Sequence, residues 1–430
     1  MENQSVKELL KGIPCIHALG RGVKNRLRDA QAIPAFLAER RIKREGPIRV
    51  GFLCQFIPAW TKVASIYERM KQDPRFQPYL ICVPSGIQNG RLVNPDSLEN
   101  DTYDYFLEHG YPEAINSLVG REQWLDLSTL KLSYLFYPRP YNPLLPDCYN
   151  AGKVSRYTRV CILMYGFTIT QEVARITLNR DFMGSAYYYF AETPFVQRLN
   201  IQNNWLPHKL KLQKTVFLGV PVLEQLSLCR KDVSPSWDFS KNDFRVLWTP
   251  RWTTDKAEGG SNFFTYYLRL LDYARQHPDV DFLFRPHPLA FSNFIKTGEM
   301  TEEQVADYQQ RCEQLPNVSL DRQSQYEATL WGSSVLVSDI SGIMPEYFTT
   351  GKPLIYCASN MELELADFSR RMIEGCYVIY NEQELSACLE RLRSGDDPLK
   401  EKRKALIHEL FGSAIEGAAD RIIEELAADA

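Results

Sequence analysis

The sequence predicts an α/β protein built from two doubly wound domains that face each other across a cleft. Its 430 residues correspond to two or three domains at about 150 residues each. Short apolar runs rich in β-branched and aromatic residues alternate with helical segments, as in parallel βαβ units. The alternation occurs twice, before and after a polar, turn-prone stretch at Ser234–Asp243 that we interpret as the end of an interdomain connection.

The predicted elements follow from these apolar runs. In the first half, strands are predicted at Ile48–Phe52, Tyr79–Val83, Tyr134–Tyr137, Arg159–Tyr165, Ala186–Phe190 and Val216–Leu218, with a helix over Lys62–Gln72. In the second half, they are predicted at Phe244–Trp248, Asp281–Phe284, Val318–Leu320, Ser334–Val337 and Leu354–Tyr356, with helices over Phe263–Gln276, Ile343–Thr350 and Leu399–Ala428. The resulting organisation is a basic helical segment (1–45), an N-terminal domain (46–235), a C-terminal domain (236–405) and a final helix (406–430).

Composition excludes several classes of protein. With 44% hydrophobic and 24% charged residues, the chain is neither disordered nor fibrous. The net charge of −3, from 50 basic and 53 acidic residues, disfavours a nucleic-acid partner. We find no signal-peptide pattern, and the longest apolar run, Val160–Tyr165, is too short to span a bilayer, so a cytoplasmic protein is expected.

The cysteines and histidines predict no metal site. The 10 cysteines form no C-x-x-C pair, and the 6 histidines do not cluster with them at ligand spacing. Reduced, mostly buried thiols are therefore expected. The acidic pair Asp279 and Asp281 stands at the start of a predicted strand, away from the edge where a ligand would bind, and we interpret it as part of a turn.

A local excess of positive charge lies in residues 21–49. The basic residues there are Arg21, Lys24, Arg26, Arg28, Arg40, Arg41, Lys43, Arg44 and Arg49. Apolar residues between them suit a surface helix. This segment is either a solvated helical face or a contact with anionic lipid head groups, which would place the protein on the inner face of the cell membrane.

Three predicted strands of the second half are each followed by polar or cationic residues. Thr249-Pro250-Arg251-Trp252-Thr253-Thr254 follows the first, Arg285-Pro286-His287-Pro288 the second and Ser338-Asp339-Ile340-Ser341-Gly342 the third. Because parallel strands end at one edge of their sheet, we expect these loops to converge on one ligand.

The chemistry of the three loops suits a phosphate. Ser341 or Asp339 can act as the N-cap of the following helix, and Gly342 lets the backbone approach a ligand closely. Arg285 offers paired donors to phosphate oxygens, and His287 can carry a proton near neutral pH. The chain has no G-x-x-x-x-G-K-[ST] motif, which excludes a P-loop NTPase.

The order PRW, RPHP and SDISGIMPEYFTTGKPLIY resembles that of the CDP-glycerol glycerophosphotransferases, which build teichoic acids and related bacterial surface polymers. The resemblance covers most of residues 48–357, and only its second half is specific in its motifs. It implies two Rossmann-like domains of the glycosyltransferase-B (GT-B) type, the first for the acceptor and the second for the nucleotide donor.

The resemblance also implies roles for individual residues. Arg285 and His287 would hold the pyrophosphate of CDP-glycerol, and Ser338, Asp339 and Ser341 would surround the transferred phosphoryl group. Glu346 would reach a ribose hydroxyl. The predicted catalytic residues are thus His287, Arg285 and Asp339. The predicted substrate-binding residues are Ser338, Ser341, Gly342, Arg251, Trp252, Thr253, Glu346, Tyr165 and Gly166.

The implied reaction is attack of an acceptor hydroxyl on the β-phosphorus of CDP-glycerol or a related CDP-alditol, with release of CMP. The acceptor would be a surface polymer or its lipid-linked precursor, and neither metal nor cofactor is expected, because Arg285, protonated His287 and the helix end supply the positive charge.

The sequence departs from the family pattern at two important points. Gly342 stands in place of a second serine, and Met164-Tyr165-Gly166-Phe167 occupies the stretch where family members often carry His-Gly. Tyrosine is a poor base at its usual pKa of about 10. Either another group, such as Asp147 or Glu192, takes the proton, or the acceptor differs. Two alternatives stay open: a GT-B glycosyltransferase that uses a nucleotide sugar, and an inactive nucleotide- or polymer-binding module.

Overall fold

A computed structural model describes residues 32–42, 45–137, 139–323, 325–358 and 360–430. Most of the predicted basic segment 1–45 lies outside these residues. Its described part includes a helical stretch at 32–39. Within the described ranges, no helix is both long and apolar enough to cross a membrane.

The first sheet has seven parallel strands in the order β11-β10-β9-β8-β1-β2-β5, flanked by the two-stranded pairs β3–β4 and β6–β7. The strands are β1 (Ile48–Cys54), β2 (Phe76–Cys82), β3 (Ile87–Gln88), β4 (Arg91–Leu92), β5 (Ile115–Asn116), β6 (Leu118–Gly120), β7 (Gln123–Trp124), β8 (Tyr134–Tyr137), β9 (Arg159–Leu163), β10 (Tyr188–Phe190) and β11 (Lys214–Val216). From β1, the strands β2 and β5 are added on one side of the sheet, and β8 to β11 are added in sequence order on the other side.

The second sheet has six parallel strands in the order β14-β13-β12-β15-β16-β17. They are β12 (Phe244–Thr249), β13 (Val280–Phe284), β14 (Val318–Leu320), β15 (Val335–Ser338), β16 (Leu354–Cys357) and β17 (Tyr377–Ile379). This is the doubly wound order 3-2-1-4-5-6, with its reversal between β12 and β15.

Helices connect the strands in both halves. The α-helices that follow β1 in the first half are Ala64–Gln72, Asp101–Glu108, Ala151–Val154, Gln171–Thr177, Arg180–Met183, Pro194–Asn203, Trp205–Lys209 and Pro221–Leu228. Those of the second half are Phe263–Gln276, Ala290–Lys296, Glu302–Glu313, Glu327–Gly332, Ile343–Phe348, Asp367–Ile373, Glu382–Arg393, Lys400–Leu410 and Ala418–Asp429.

The predicted fold class of parallel-sheet α/β domains is confirmed. Several elements match within a residue or two, and Tyr134–Tyr137, Val318–Leu320 and Phe263–Gln276 match in full. The prediction omitted β17 and the short strands β3 to β7, which hold too few residues to show a pattern. The predicted helix Leu399–Ala428 is two helices, because a short turn at Gly412–Ala414 and the positive φ of 65° at Gly417 interrupt it.

The chain divides into two compact units at positions that differ from the predicted domain limits. Unit 1 comprises Met1–Tyr165, Ile176–Phe217 and Ile422–Ala430, and unit 2 comprises Gly166–Arg175 and Leu218–Arg421. The polar stretch Ser234–Asp243, expected to end the connection, belongs to unit 2. Its polar groups satisfy buried carboxylates there: Ser236 donates to Asp321 (2.8 Å) and Ser240 donates to Asp281 (2.7 Å).

The helix Ala418–Asp429 contributes a half-buried carboxylate to unit 1. Asp429 accepts hydrogen bonds from Tyr187 Oη (3.1 Å) and Tyr134 Oη (3.2 Å) and pairs with Arg159 Nη1 (3.2 Å) and with Lys214. Tyr134, Arg159 and Lys214 lie in β8, β9 and β11, and Tyr187 is the residue before β10. One side chain therefore connects the helix Ala418–Asp429 to three strands of the first sheet and to the residue that precedes a fourth.

We predict that Asp429→Asn destabilises the protein by about 2 kcal/mol, because the partly buried Arg159 and Lys214 lose a shared carboxylate partner and Arg159 keeps only its pair with Glu39 in the described chain. Thermal or urea unfolding measures the change. The matched control is Glu401→Gln, since the Glu401 side chain is 80% exposed and pairs with the exposed Lys404. Equal midpoints for Asp429→Asn and Glu401→Gln would contradict the assignment.

Candidate active site

The three loops singled out from the sequence follow adjacent strands of the second sheet. β13, β12 and β15 are consecutive neighbours, and strand order reverses between β12 and β15. Neighbouring strands lie about 4.8 Å apart, so the ends of β13 and β15 are about 10 Å apart. In open α/β sheets the crevice at this reversal, at the carboxyl ends of the strands, is where ligands bind.

Asp339 ties two of these loops together. Its carboxylate, 2% exposed, accepts from the backbone N–H of Arg251 (2.7 Å), from Asn262 Nδ2 (2.7 Å) and from Ser261 Oγ (3.2 Å). Burial raises the pKa of Asp339, and these hydrogen bonds oppose that rise. A catalytic role for Asp339 stays a prediction, but its contacts are those of a residue that positions the loop after β12.

Arg251 is the cation that this loop presents. Its Nη1 donates to the Ile340 carbonyl (2.8 Å) and its Nε to the Glu258 carbonyl (3.0 Å), and within the described residues it forms no ion pair. Burial lowers the pKa of Arg251. The side chain fits because residue 259 is glycine: a Cβ there would lie 2.6 Å from Arg251 Cζ, and its φ is 105°.

His287 lies close to this cation. The Leu289 N–H donates to its Nδ1 (3.2 Å), so the neutral ring carries its proton on Nε2. Partial removal from water lowers the pKa of His287 below its usual 6.5, and the charge of Arg251 acts in the same direction. The ring centroid of Trp252 is 6.4 Å from that of His287. The site thus holds a neutral imidazole that an anionic ligand would favour in its protonated form.

The loop after β15 differs from the prediction in its capping. Gly342, not Ser341 or Asp339, is the N-cap of the helix Ile343–Phe348, and no side chain caps it. Ser338 is fully buried and donates to the Thr249 carbonyl (3.0 Å), whereas Ser341 is half-buried with its Oγ 3.2 Å from Ser338 Oγ. Of the two serines, Ser341 is therefore the one that can reach a ligand. Gly342 is exposed, and a Cβ there would meet nothing within 4 Å.

Arg285 is already paired with a carboxylate. Its Nη1 lies 2.5 Å from Asp321 Oδ2, and its guanidinium lies 5.2 Å from the ring centroid of Tyr326. Tyr326 in turn donates to Glu346 (2.5 Å), on the helix after Gly342. Arg285 and Glu346 thus belong to one connected group, in which the charge of Arg285 is compensated.

The remaining predicted residues fall in different places. Trp252 is half-buried and packs against the core of unit 2, and Thr253 is buried, with its Oγ1 accepting from the Asp255 N–H (3.2 Å). Tyr165 is the last residue of its unit 1 segment, where its ring contacts Phe56 (5.9 Å). Gly166 begins the next segment, which is assigned to unit 2.

Sequence reasoning missed the residues that hold the site together. Ser261, Asn262, Asp321 and Tyr326 follow no motif, because each acts through a partner distant in the chain. The pair Gly259-Gly260 was a usable signal, since both glycines have positive φ and a Cβ at residue 260 would collide with the Asn360 carbonyl. Within the described ranges, no group of three or more His, Cys, Asp and Glu side chains could hold a metal ion.

Comparisons with known proteins agree on the fold. No protein-family model matches the chain, and no curated protein matches its sequence. The chain is similar to the UDP-GlcNAc 2-epimerase from Neisseria meningitidis bound to UDP-GlcNAc (TM-score 0.60, 14% identity, 89% of this chain and 100% of that one). It is also similar to a variant of the wall teichoic acid polymerase TagF soaked with CDPG (TM-score 0.55, 14% identity, 95% of each chain).

A third similar structure is that of S. aureus MnaA with UDP (TM-score 0.59, 12% identity, 88% of this chain and 96% of that one). At these identities the likeness concerns the fold. The protein therefore has the two parallel-sheet α/β domains of the GT-B class, as the sequence predicted.

We predict that the His287 ring titrates below pH 6.5 and that Arg251→Gln raises its midpoint, because the variant removes a neighbouring positive charge. NMR detection of the histidine ring protons measures both midpoints. The control is Arg311→Gln, which neutralises an exposed helical arginine paired with Asp307. An unchanged His287 midpoint in Arg251→Gln would contradict this electrostatic coupling.

Proposed function

We propose that this protein transfers glycerol phosphate, or a similar alditol phosphate, from CDP-glycerol or a related CDP-alditol to a hydroxyl of a surface polymer or its lipid-linked precursor. The observation that carries the proposal is the grouping of Arg251, His287 and Ser341 at the strand-order reversal of the second sheet. Partial removal from water and the charge of Arg251 both lower the pKa of His287, and Arg251 donates to the Ile340 carbonyl, next to Ser341. A guanidinium that forms no ion pair in the described chain, beside a histidine, suits a diphosphate.

In this reaction the acceptor oxygen attacks the β-phosphorus, and the bond from that phosphorus to the bridging oxygen breaks. CMP leaves with the electron pair, and the hydroxyl proton passes to a carboxylate. Asp147 and Glu192 are the candidates for this carboxylate, and Glu192 stands two residues after β10, at the carboxyl edge of the first sheet. Its carboxylate is buried and accepts from Tyr189 Oη (2.7 Å).

The residues of unit 2 have separate roles in binding the donor and stabilising the leaving group. Arg251 and the Nε2–H of His287 offset charge on the diphosphate, and Ser341 and the N–H of Ile343 donate to the phosphoryl oxygens. Arg285 is paired with Asp321, so we assign it with Tyr326 and Glu346 to holding the ribose side of the donor. Asp339 positions Arg251. No step requires a metal, and activity is expected to persist in EDTA.

The similarity in fold to TagF soaked with CDPG supports a CDP-alditol donor, and the similarity to the UDP-GlcNAc 2-epimerases keeps a nucleotide sugar as the second candidate.

A panel of donors distinguishes these two candidates. Incubation with CDP-glycerol, CDP-ribitol and UDP-sugars, with short phosphodiester acceptors, is read by mass spectrometry of the products. CMP release with a lengthened acceptor supports the proposal, whereas UDP release with a glycosylated acceptor supports the alternative. Binding without any turnover would identify an inactive binding module.

We predict that His287→Gln lowers kcat/KM for the active donor by about 100-fold or more, the magnitude usual for a group that acts in the transition state. The control is His408→Gln, since His408 is an exposed histidine on the helix Lys400–Leu410 of the same unit. Turnover by folded His287→Gln at the wild-type rate would remove His287 from the mechanism.

We also propose that unit 1 binds an anionic membrane surface through a basic apolar patch. Its exposed members are Leu37, Arg40, Arg41, Ile42, Trp205, Lys209, Leu210 and Lys211. Arg40 donates to the Lys211 carbonyl, and Lys209 Nζ lies 4.7 Å from the ring centroid of Trp205. Apolar side chains mixed with cations are typical of surfaces that bind at the membrane interface.

The double variant Lys209→Gln/Lys211→Gln is expected to weaken binding to phosphatidylglycerol vesicles by about 30-fold, because each basic residue near such a surface contributes about 1 kcal/mol. Co-sedimentation at low and high salt measures the binding. Lys400→Gln/Lys404→Gln, at two exposed lysines of unit 2, is the control. If wild-type protein stays in the supernatant even at low salt, the patch has no such role.

A further inference from the structure

The first sheet has its own reversal of strand order, between β1 and β8. Gln55 follows β1 directly, and Arg139 stands two residues after β8. Their side chains meet across the reversal, where Arg139 Nη2 donates to Gln55 Oε1 (2.8 Å). The position that binds ligands in open α/β sheets is therefore occupied in unit 1 by an arginine.

The Arg139 side chain is held in place by its neighbours. Gln55 Nε2 donates to the carbonyls of Leu144 and of Pro84 (3.3 Å), which fixes the orientation of the amide that Arg139 contacts. The guanidinium carbon lies 4.7 Å from the ring centroid of Phe56. Together these contacts hold the guanidinium in one orientation.

The positive charge of Arg139 is not compensated by the part of the chain that the structure describes. Its one hydrogen bond there is to Gln55, and it forms no ion pair with a described carboxylate. The titratable groups that face it are Tyr165, Tyr141 and Cys54. Burial raises the pKa of Cys54 to about 12 and also raises that of Tyr141, so both groups are protonated and neutral at physiological pH.

Burial of an unpaired guanidinium is unfavourable, and it lowers the pKa of Arg139. Arginine carries five N–H donors, of which one is used here. Tyr141 and Tyr165, which lie close enough to affect each other electrostatically, add hydroxyl donors. Arg139, Gln55 and Tyr141 also line one small hollow, together with the apolar side chains of Leu144 and Leu145.

We propose that Arg139, with Tyr141 and Tyr165, forms an anion site in unit 1 that binds a phosphodiester group. The planar fork of the guanidinium matches two oxygens of a phosphate, and the phenol hydroxyls donate to the others. Phe56 and the leucines give the carbon chain on either side of the phosphorus an apolar surface. All residues of this anion site belong to unit 1. Only the identification of the phosphodiester as part of the acceptor polymer rests on the proposed function.

The test is equilibrium binding of bis-glycerol phosphodiester, measured by calorimetry on wild-type protein and on Arg139→Gln, Arg139→Lys and Arg121→Gln. Arg121 is the matched control, because its side chain is 70% exposed in the same unit. CMP binding to each protein is measured in parallel, and so is binding to phosphatidylglycerol vesicles, which present the same chemical group on a lipid. Thermal unfolding shows whether each variant is folded.

We expect Arg139→Gln to weaken phosphodiester binding by about 10-fold or more, the loss of one charge-assisted bidentate contact. CMP affinity should stay within about twofold, Arg121→Gln should behave as wild type, and Arg139→Lys should recover part of the affinity, because it keeps the charge without the fork. Dependence on Arg139 seen only with vesicles would also support the site, with a lipid as the source of the phosphodiester.

Two results would overturn the inference. The first is that the wild-type protein binds the phosphodiester neither in solution nor on vesicles, or that both Arg139 variants bind it as tightly as wild type in both assays. The other is an equal loss of CMP and phosphodiester binding in folded Arg139→Gln, which would mean general damage. Failure of the proposed function can be distinguished from failure of the anion site. A wild-type protein that neither binds CMP nor turns over CDP-alditols can still bind the phosphodiester in a way that depends on Arg139.

Discussion

The buried carboxylate of Asp339 is the interaction on which the candidate site depends. A carboxylate removed from water needs several donors, and here they come from Arg251, Ser261 and Asn262, at both ends of one loop. The loop is thereby fastened to the end of β15. Its remaining freedom is small, because Gly259 and Gly260 leave room only for the Arg251 side chain and the Asn360 backbone. One carboxylate that is nearly inaccessible to solvent thus fixes the half-buried guanidinium beside His287.

The two units repeat one arrangement on separate sheets. In each unit an arginine stands two residues after a strand at the reversal of strand order: Arg139 after β8 and Arg251 after β12. Both guanidinium groups are desolvated and form no ion pair in the described chain, whereas Arg285 is paired with Asp321. Because desolvation disfavours an unpaired cation, the first two positions gain most from an anion, and the third is already stable without one.

Much of the fold was predictable because burial leaves a local pattern. β8, β14 and the helix Phe263–Gln276 are bounded by changes in polarity that any parallel sheet imposes. Local pattern is less informative where a partner distant in the chain determines the structure. Ser234–Asp243 reads as a connection, yet its hydroxyl and amide groups serve the buried Asp281 and Asp321. The final helical stretch reads as continuous, yet it breaks near Gly412 and Gly417, and its last residues join the other unit.

The amino-acid sequence alone determined the alternation of strands and helices, the parallel sheets and the three loops that follow β12, β13 and β15, because these depend on hydrophobic period and on local turn residues. The tertiary structure decided which side chains in those loops remain available. Ser338 and Asp339 are consumed by hydrogen bonds to Thr249 and to the Arg251 loop, while Ser341 and His287 stay accessible. Arg139 is a second residue whose role could not be predicted from local sequence. Its importance depends on the lack of a carboxylate beside it in the described chain, and pairing across 84 residues, as with Gln55, leaves no trace in local sequence.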